Sequence, residues 1–275
     1  MDRSVYNYLI DGNKKYSSGK AEMCESNFKC EPDEIQEKVI IAPTWEVDIF
    51  SGHVDRINHV SGTKKHDNII SEITIGENKV TFITTNVGAC RIFDVTLALR
   101  CTPCKEILFI GSAGALDMSM KIGDIVIPEY SVCGVGTNRY LTVKDVIEND
   151  CYGERYYPDK AFSDKLRSCT NEIIKDTDIK THIGRNFSVD TIFAQFAHLE
   201  EFINMGCNTI EMETSTFFQS AEVAGIKAAA LFNISDNTVT KKSLYSGRTD
   251  EDQVRRKNVK KNIIPKIVLK ALDIM

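Results

Sequence analysis

Short apolar runs, each bounded by Gly, Pro, Asn or Asp, are the feature that most restricts the fold of this sequence. Five of them have the length and composition of β-strands: EVDIF (46–50), ISEITIG (70–76), KVTFITT (79–85), EILFIG (106–111) and DIVIP (124–128). Between the third and fourth runs, one helical stripe is formed by Ile92, Val95, Thr96 and Leu99. A strand–helix–strand succession is typical of a parallel sheet, so the pattern predicts an α/β fold.

The same alternation continues through the second half of the chain. We predict strands over 182–189, 208–212 and 226–234, and helices over about 160–175, 197–205 and 213–224. Gly225 is placed to end the last of these helices, a final helix begins near Thr249, and Pro265 should kink or restart it. Residues 1–45 are polar and weakly patterned, although VIIAP (39–43) has the composition of a strand. We therefore predict an N-terminal extension over 1–45 and a single domain over 46–275.

Charge and composition restrict the function classes. The formal net charge is −5, whereas general nucleic-acid and membrane-surface binders present a basic surface. The sequence has no apolar run of transmembrane length and no signal-peptide pattern at its start, so we expect a cytoplasmic protein that acts on a small molecule. The nine cysteines are scattered and are interpreted as reduced thiols, including the Cys101-Thr102-Pro103-Cys104 motif, which we interpret as structural. The histidines form no metal-ligand motif, so no metal site is predicted.

Three strand ends carry residues suited to chemistry. In the first, the run ILFIGSAGAL (107–116) ends in small residues that let backbone N–H groups approach a ligand, and Ser112 adds a hydroxyl. In the second, TIEMETS (209–215) places Glu211 and Glu213 on one side of a strand end, where a carboxylate can hold the hydroxyls of a sugar. The third, NISDNT (233–238), places Asp236 after an apolar strand, where an acid is also a common turn or cap residue.

GSAGAL, EME and SD in this order resemble the nucleoside phosphorylase and nucleosidase superfamily, and most closely its hexameric-type purine nucleoside phosphorylases. The resemblance covers residues from about Glu46 to the C-terminus. It implies one α/β domain around a mixed, distorted, barrel-like sheet flanked by helices. It also implies a homo-oligomer, either a hexamer built as a trimer of dimers or a dimer, with no cofactor and with inorganic phosphate as co-substrate.

The resemblance also assigns roles to individual residues. Glu211, Met212 and Glu213 would bind ribose, and Phe193 would stack on the base. Asp236 would donate a proton towards purine N7, assisted by Arg248, and it favours a purine because uridine-specific members usually lack this acid. Phosphate would contact Ser112 together with Gly52 and Arg56 of Ser51–Arg56, which resembles a degraded form of the family's P-G-D-P-x-R loop.

One departure from the family pattern concerns phosphate. The family's arginine two residues before the glycine of the phosphate turn is replaced by Phe109. Arg91, in the first turn of the helix predicted over 89–100, is our candidate for a compensating cation, because a cation is otherwise disfavoured at a helix N-terminus.

Three functions therefore remain open. The first is a purine nucleoside phosphorylase, acting in purine salvage on ribo- or deoxyribonucleosides. The second is a nucleosidase of the methylthioadenosine/S-adenosylhomocysteine type, which uses water. The third is a catalytically weak relative that binds nucleosides.

Overall fold

The strands of the computed structural model form one mixed sheet, described here for residues 3–17, 22–64 and 66–275. The strands are β1 (Lys38–Ala42), β2 (Arg56–Ser61), β3 (Ile69–Ile75), β4 (Asn78–Thr84), β5 (Glu106–Ala115), β6 (Ile125–Gly134), β7 (Arg155–Tyr156), β8 (Thr181–Val189), β9 (Thr209–Glu211) and β10 (Lys227–Asn237). The helices are α1 (Arg3–Tyr16), α2 (Glu22–Phe28), α3 (Ala89–Ala98), α4 (Lys160–Ile174), α5 (Leu199–Asn204), α6 (Thr214–Ala224), α7 (Asp250–Asn258) and α8 (Ile264–Ala271). No helix among these residues has the length and apolar character that a membrane crossing requires.

Part of the sheet closes on itself. β5 pairs with β10, and the path continues through β6, β8 and β9 back to β5, so that five strands form a barrel-like ring. β1 lies parallel to β5 on one side and to β4 on the other, and the antiparallel strands β4, β3 and β2 extend the sheet from there. The expected α/β fold with a barrel-like sheet and flanking helices is confirmed.

The sheet begins before residue 46, where we placed the start of the domain. β1 lies inside the range assigned to the N-terminal extension, and each of its residues after Lys38 is buried. Cys24 and Phe28 of α2 are buried as well and pack in the same apolar cluster as α3 and α6. A strand flanked by parallel neighbours on both sides is an integral part of the sheet.

The predicted strand over 46–50 is wrong. Val47–Phe50 forms one turn of 3₁₀ helix, in which Ile49 and Phe50 are both buried. Its backbone turns locally instead of pairing with a strand: the N–H of Ile49 donates to the carbonyl of Glu46 at 3.4 Å, and the N–H of Ser51 donates to the carbonyl of Asp48 at 3.0 Å. The other predicted strands are confirmed, although β5 and β6 extend four and six residues beyond the predicted ends at 111 and 128. The strands β2 and β7 were not predicted.

Local sequence signals set the helix ends. The predicted stripe Ile92, Val95, Thr96 and Leu99 is buried; its first three residues lie in α3, and Leu99 begins the 3₁₀ turn that follows. Gly225 ends α6 in a left-handed conformation with φ of 70°, which glycine adopts without strain. Thr249 caps α7 by accepting a hydrogen bond from the backbone of Asp252 at 3.1 Å.

Pro265 restarts the C-terminal helix, as predicted, and explains the position of His53. A π-helical turn, Val259–Ile263, separates α7 from α8. Proline has no N–H to donate to the carbonyl four residues earlier, which is that of Lys261. His53 Nε2 donates to this carbonyl at 2.8 Å instead. The segment around His53 is therefore held against the C-terminal helices.

Candidate active site

One cavity, at the carboxyl ends of the strands, is lined by half of the predicted site residues. It has a volume of about 260 Å³ and is lined by the ends of β5, β9 and β10, by the residues that follow β1 and β8, and by α7. This edge is where α/β proteins place ligands, because the strands stop there and their last side chains and backbone groups are free to face outward. Of the predicted site residues, the lining includes Ser112, Glu211, Met212, Glu213 and Asp236.

An arginine that sequence reasoning missed lies beside Ser112. Arg256, on α7, lines the cavity, and its Nη2 donates to Ser112 Oγ at 3.2 Å. Its Nε is buried and has no hydrogen-bond partner among the described residues. Burial and the charge of Arg248 lower the pKa of Arg256, and the charge of Asp236 opposes this. An arginine nevertheless stays protonated in proteins, so this end of the cavity carries a positive charge.

Phe109 forms an apolar wall of the same cavity. Its side chain is buried, and its ring centroid lies 5.3 Å from that of Phe217 and 5.8 Å from that of Phe232. The position where the family resemblance calls for an arginine therefore contributes hydrophobic contact to the core and no charge.

The two glutamates at the end of β9 have different environments. Glu211 is saturated by hydrogen bonds: its carboxylate accepts from the backbone N–H groups of Glu213 at 2.7 Å and Thr214 at 2.8 Å, and from Ser188 Oγ at 2.5 Å. It thereby caps the start of α6. Glu213 accepts a hydrogen bond from the N–H of Gly88 at 2.8 Å. Glu213 therefore has more free accepting capacity towards the cavity.

Burial raises the pKa of both glutamates. For Glu213 the pKa is raised to about 8, first by burial and then by the negative charge of Glu211. For Glu211 burial dominates over the hydrogen bonds that favour its ionised form. A ligand that donates hydrogen bonds to Glu213 would favour its ionised form and lower its pKa.

Asp236 combines burial with two nearby cations. Burial raises its pKa, while the hydrogen bond from Ser235 Oγ at 2.6 Å and the charges of Arg248 and Arg256 oppose the shift. Arg248 is not part of the lining; its guanidinium donates to the carbonyl of Leu244 at 2.8 Å and to that of Ser235 at 3.4 Å. Asp236 is thus a carboxyl group that retains its proton to higher pH than usual and faces a cavity.

Besides Arg248, four predicted site residues lie outside the cavity lining. Gly52 and Arg56 are exposed, and Arg56 lies at the start of β2, a strand at the edge of the sheet. Arg91 Nη2 donates to the backbone carbonyl of His66 at 2.6 Å. The Phe193 side chain is 85% exposed. In contrast to the predicted phosphate loop Ser51–Arg56, the segment that directly follows β1 lines the cavity, with Pro43 and Thr44.

Within the described part of the chain, no three or more His, Cys, Asp or Glu side chains are grouped in a way that could bind a metal ion. The polar side chains of the lining include the carboxyl groups of Glu213 and Asp236, the guanidinium of Arg256 and the hydroxyl of Ser112.

Comparison with known proteins gives matches at two levels. The family model of the phosphorylase superfamily matches residues 39–268. Among curated proteins, the DeoD-type purine nucleoside phosphorylase of Anoxybacillus flavithermus is 24% identical over 146 residues, which is 53% of this chain and 58% of that protein. The guanosine phosphorylase of Halorubrum lacusprofundi is 24% identical over 174 residues, covering 62% of this chain and 67% of that protein. The chain thus spans little more than half the length of the first curated relatives it matches.

The solved structures extend the likeness of the fold to most of the chain. A uridine phosphorylase from Vibrio fischeri ES114 superposes with a TM-score of 0.70 at 17% identity and covers 88% of this chain and 94% of its own. At this identity the match establishes the fold.

Proposed function

The chain belongs to the phosphorylase superfamily, and we propose that it is a purine nucleoside phosphorylase. Such an enzyme moves the pentose of a purine nucleoside to inorganic phosphate, releasing the free base and pentose 1-phosphate. The observation that carries the proposal is that one cavity contains a positive end, formed by Arg256 with Ser112, and a buried carboxyl group whose pKa is raised by burial, Asp236.

Asp236 suits the leaving base. When the glycosidic bond breaks, negative charge develops on the purine and positive charge on the sugar. A proton donated to N7 neutralises the base as it leaves, and burial raises the pKa of Asp236, so that it keeps its proton to higher pH than an exposed aspartate. Arg248 then stabilises the aspartate anion that remains, since its positive charge already favours the ionised form of Asp236.

Glu213 suits the sugar. As a carboxylate it can accept hydrogen bonds from two vicinal hydroxyl groups, and the Gly88 N–H fixes one of its oxygens. Met212 lines the cavity next to it and offers an apolar surface for the pentose ring. Glu211 has a positioning role. Its carboxylate accepts hydrogen bonds from the N–H groups of Glu213 and Thr214, and so it holds the start of α6, where Glu213 is the N-cap residue.

Phosphate suits the positive end. The guanidinium of Arg256 and the hydroxyl of Ser112 can both donate to phosphate oxygens, and charge-assisted bonds of this kind are roughly twice as strong as neutral ones. A dianion held there also stabilises the positive charge that develops on the sugar in the transition state.

The proposal is tested by incubating the protein with inosine, with and without phosphate. We expect hypoxanthine and ribose 1-phosphate in equal amounts, and little turnover without phosphate. Uridine is the matched comparison, because solved structures with the same fold include uridine phosphorylases. Turnover of uridine with none of inosine or guanosine would contradict the purine assignment.

One observation favours a second candidate, a nucleosidase that uses water. Phe109 is an apolar wall where the resemblance calls for an arginine, and Arg56 and Arg91 lie outside the lining. An active site with one cation holds phosphate less firmly than one with several. The sugar product decides between the candidates, since hydrolysis yields free pentose and its rate does not depend on phosphate.

A further inference from the structure

A thiol pair lies behind the sheet, outside the site described above. Cys24 belongs to α2, and Cys101 belongs to the 3₁₀ turn Leu99–Cys101 that follows α3. Each of these two thiols shifts the pKa of the other. Cys24 Sγ also lies 3.5 Å from the carbonyl oxygen of Ala98, and the hydroxyl of Tyr6, from α1, lies 3.5 Å from Cys101 Sγ. Three separate segments thus meet at two sulfur atoms.

The two cysteines differ in access and in charge state. Cys101 is exposed and Cys24 is fully buried. The pKa of Cys101 is lowered to about 6, mainly by the hydrogen bond from Cys24 and further by Tyr6 and Arg100, against the effect of burial. The pKa of Cys24 is raised by the same hydrogen bond and by burial. Cys101 therefore ionises more readily than Cys24, and it is the one of the two that a peroxide can reach.

Cys104 is not part of this pair, although the sequence spacing Cys101-Thr102-Pro103-Cys104 suggests it. Cys104 is buried, and its Sγ contacts the carbonyl oxygen of Glu106 at 3.8 Å. Burial raises its pKa well above the usual range. It therefore lacks both the access and the ionisation that a reactive cysteine needs.

We propose that Cys101 and Cys24 form an oxidation site for hydroperoxides, in which Cys101 reacts first and Cys24 resolves it as an intramolecular disulfide. The Cys101 thiolate attacks one oxygen of the peroxide; an S–O bond forms, the O–O bond breaks, and hydroxide or alkoxide leaves, so Cys101 becomes a sulfenic acid. The Cys24 thiol then attacks the Cys101 sulfur; an S–S bond forms, the S–O bond breaks, and water leaves with the thiol proton. The two thiols lose two electrons and the peroxide gains them.

The disulfide would tie the N-terminal helices to the domain. Residues 24 and 101 are far apart in sequence, so the bond constrains a long loop of the unfolded chain and should stabilise the fold. Cys24 Sγ lies against the carbonyl oxygen of Ala98, three residues before Cys101, so the S–S bond of about 2.05 Å joins two segments that already pack together. We expect oxidation to raise Tm by at least about 5 °C, in a form that a thiol reductant reverses.

The experiment treats the full chain with a small molar excess of hydrogen peroxide, blocks free thiols by alkylation, and maps peptides by mass spectrometry without reduction. We expect one dominant link, between the peptides containing Cys24 and Cys101. In Cys24→Ser the sulfenic acid on Cys101 should persist and react with dimedone. In Cys101→Ser no link to Cys24 should form, whereas Cys104→Ser, the matched control, should behave as the unaltered chain.

Several outcomes would overturn the proposal: a link that involves Cys104, a link that survives in Cys101→Ser, or equal alkylation of all exposed cysteines in the unaltered chain. The last measurement needs no variant and so does not depend on how the substitutions fold. The test is also independent of nucleoside turnover.

Discussion

Replacing Arg256 with alanine tests the phosphate site most directly. The substitution removes the guanidinium that donates to Ser112 Oγ, while the helix backbone stays fixed by the hydrogen bond from Asn233 Nδ2 to the carbonyl of residue 256 at 2.9 Å. Among the lining residues that the structure describes, Arg256 is the only arginine or lysine. Arg248 cannot easily replace it, because its guanidinium is bound to the carbonyls of Leu244 and Ser235.

The size of the effect follows from these contacts. A hydrogen bond to a charged group contributes about 1.5–3 kcal/mol, and every 1.4 kcal/mol is a factor of ten in affinity. We therefore expect Arg256→Ala to raise the apparent KM for phosphate roughly 10- to 150-fold. Arg256→Lys keeps the charge but loses the planar fork, so its KM should lie between the two. The KM for nucleoside should change much less.

The assay measures initial rates of hypoxanthine release from saturating inosine while phosphate is varied. Lys257→Ala is the matched control: it removes a cation from the next position of α7, where the side chain is exposed. An unchanged phosphate KM in Arg256→Ala would refute our reasoning about this arginine. An equal rise in the control would attribute the effect to net charge. Inactivity of the unaltered chain towards all purine nucleosides would refute the proposed function instead.

Three further substitutions test other parts of the structure. Asp236→Asn should lower kcat for inosine by about 10²- to 10⁴-fold, because asparagine has no acidic proton to donate. The unaltered enzyme should lose activity as the pH rises and Asp236 ionises. A pH–rate profile without this loss at alkaline pH would contradict a proton-donor role. The pKa of Glu213 is raised to about 8, so the stabilising effect of its protonated form is present at acid pH and is lost as the pH rises through 8. Glutamine does not ionise, so the Tm of Glu213→Gln should rise relative to that of the unaltered chain between pH 6 and 9. Parallel plots of Tm against pH for the two proteins would contradict this. Asp124→Asn should lower the unfolding free energy by about 3–5 kcal/mol in denaturant titrations at pH 7, because Asp124 is buried and paired with His182 and Arg255; a loss under 1 kcal/mol would show that the cluster is dispensable.

The elements and part of the site could be predicted from sequence because their signals are local. The helix stop at Gly225 and the cap at Thr249 depend on residues within one turn. Ser112, Glu213 and Asp236 could be grouped because each ends an apolar run of the sequence, and because the order of their motifs resembles that of the superfamily. The structure brings all three side chains to one cavity.

Tertiary contacts determine where the other predicted site residues lie. The segment around Gly52 resembles a ligand loop, yet His53 is held by the Lys261 carbonyl that Pro265 leaves without a donor, a relationship across more than 200 residues. Arg91 meets a local criterion for an anion site but donates to His66 instead. Sequence patterns contain no information on such distant partners.

Arg256, the cation of the cavity, shows why its position could not be predicted from the sequence. Arg255, Arg256 and Lys257 are consecutive and chemically similar, and successive helical residues point about 100° apart. The three residues differ only in what α7 packs against. Arg255 pairs with the buried Asp124 at 2.9 Å. This contact turns Arg256 towards Ser112 and leaves Lys257 exposed. The charge in the cavity thus depends on an ion pair outside it. Under the proposed function, a substitution that breaks the Asp124–Arg255 pair should therefore weaken phosphate binding together with the anchoring of α7.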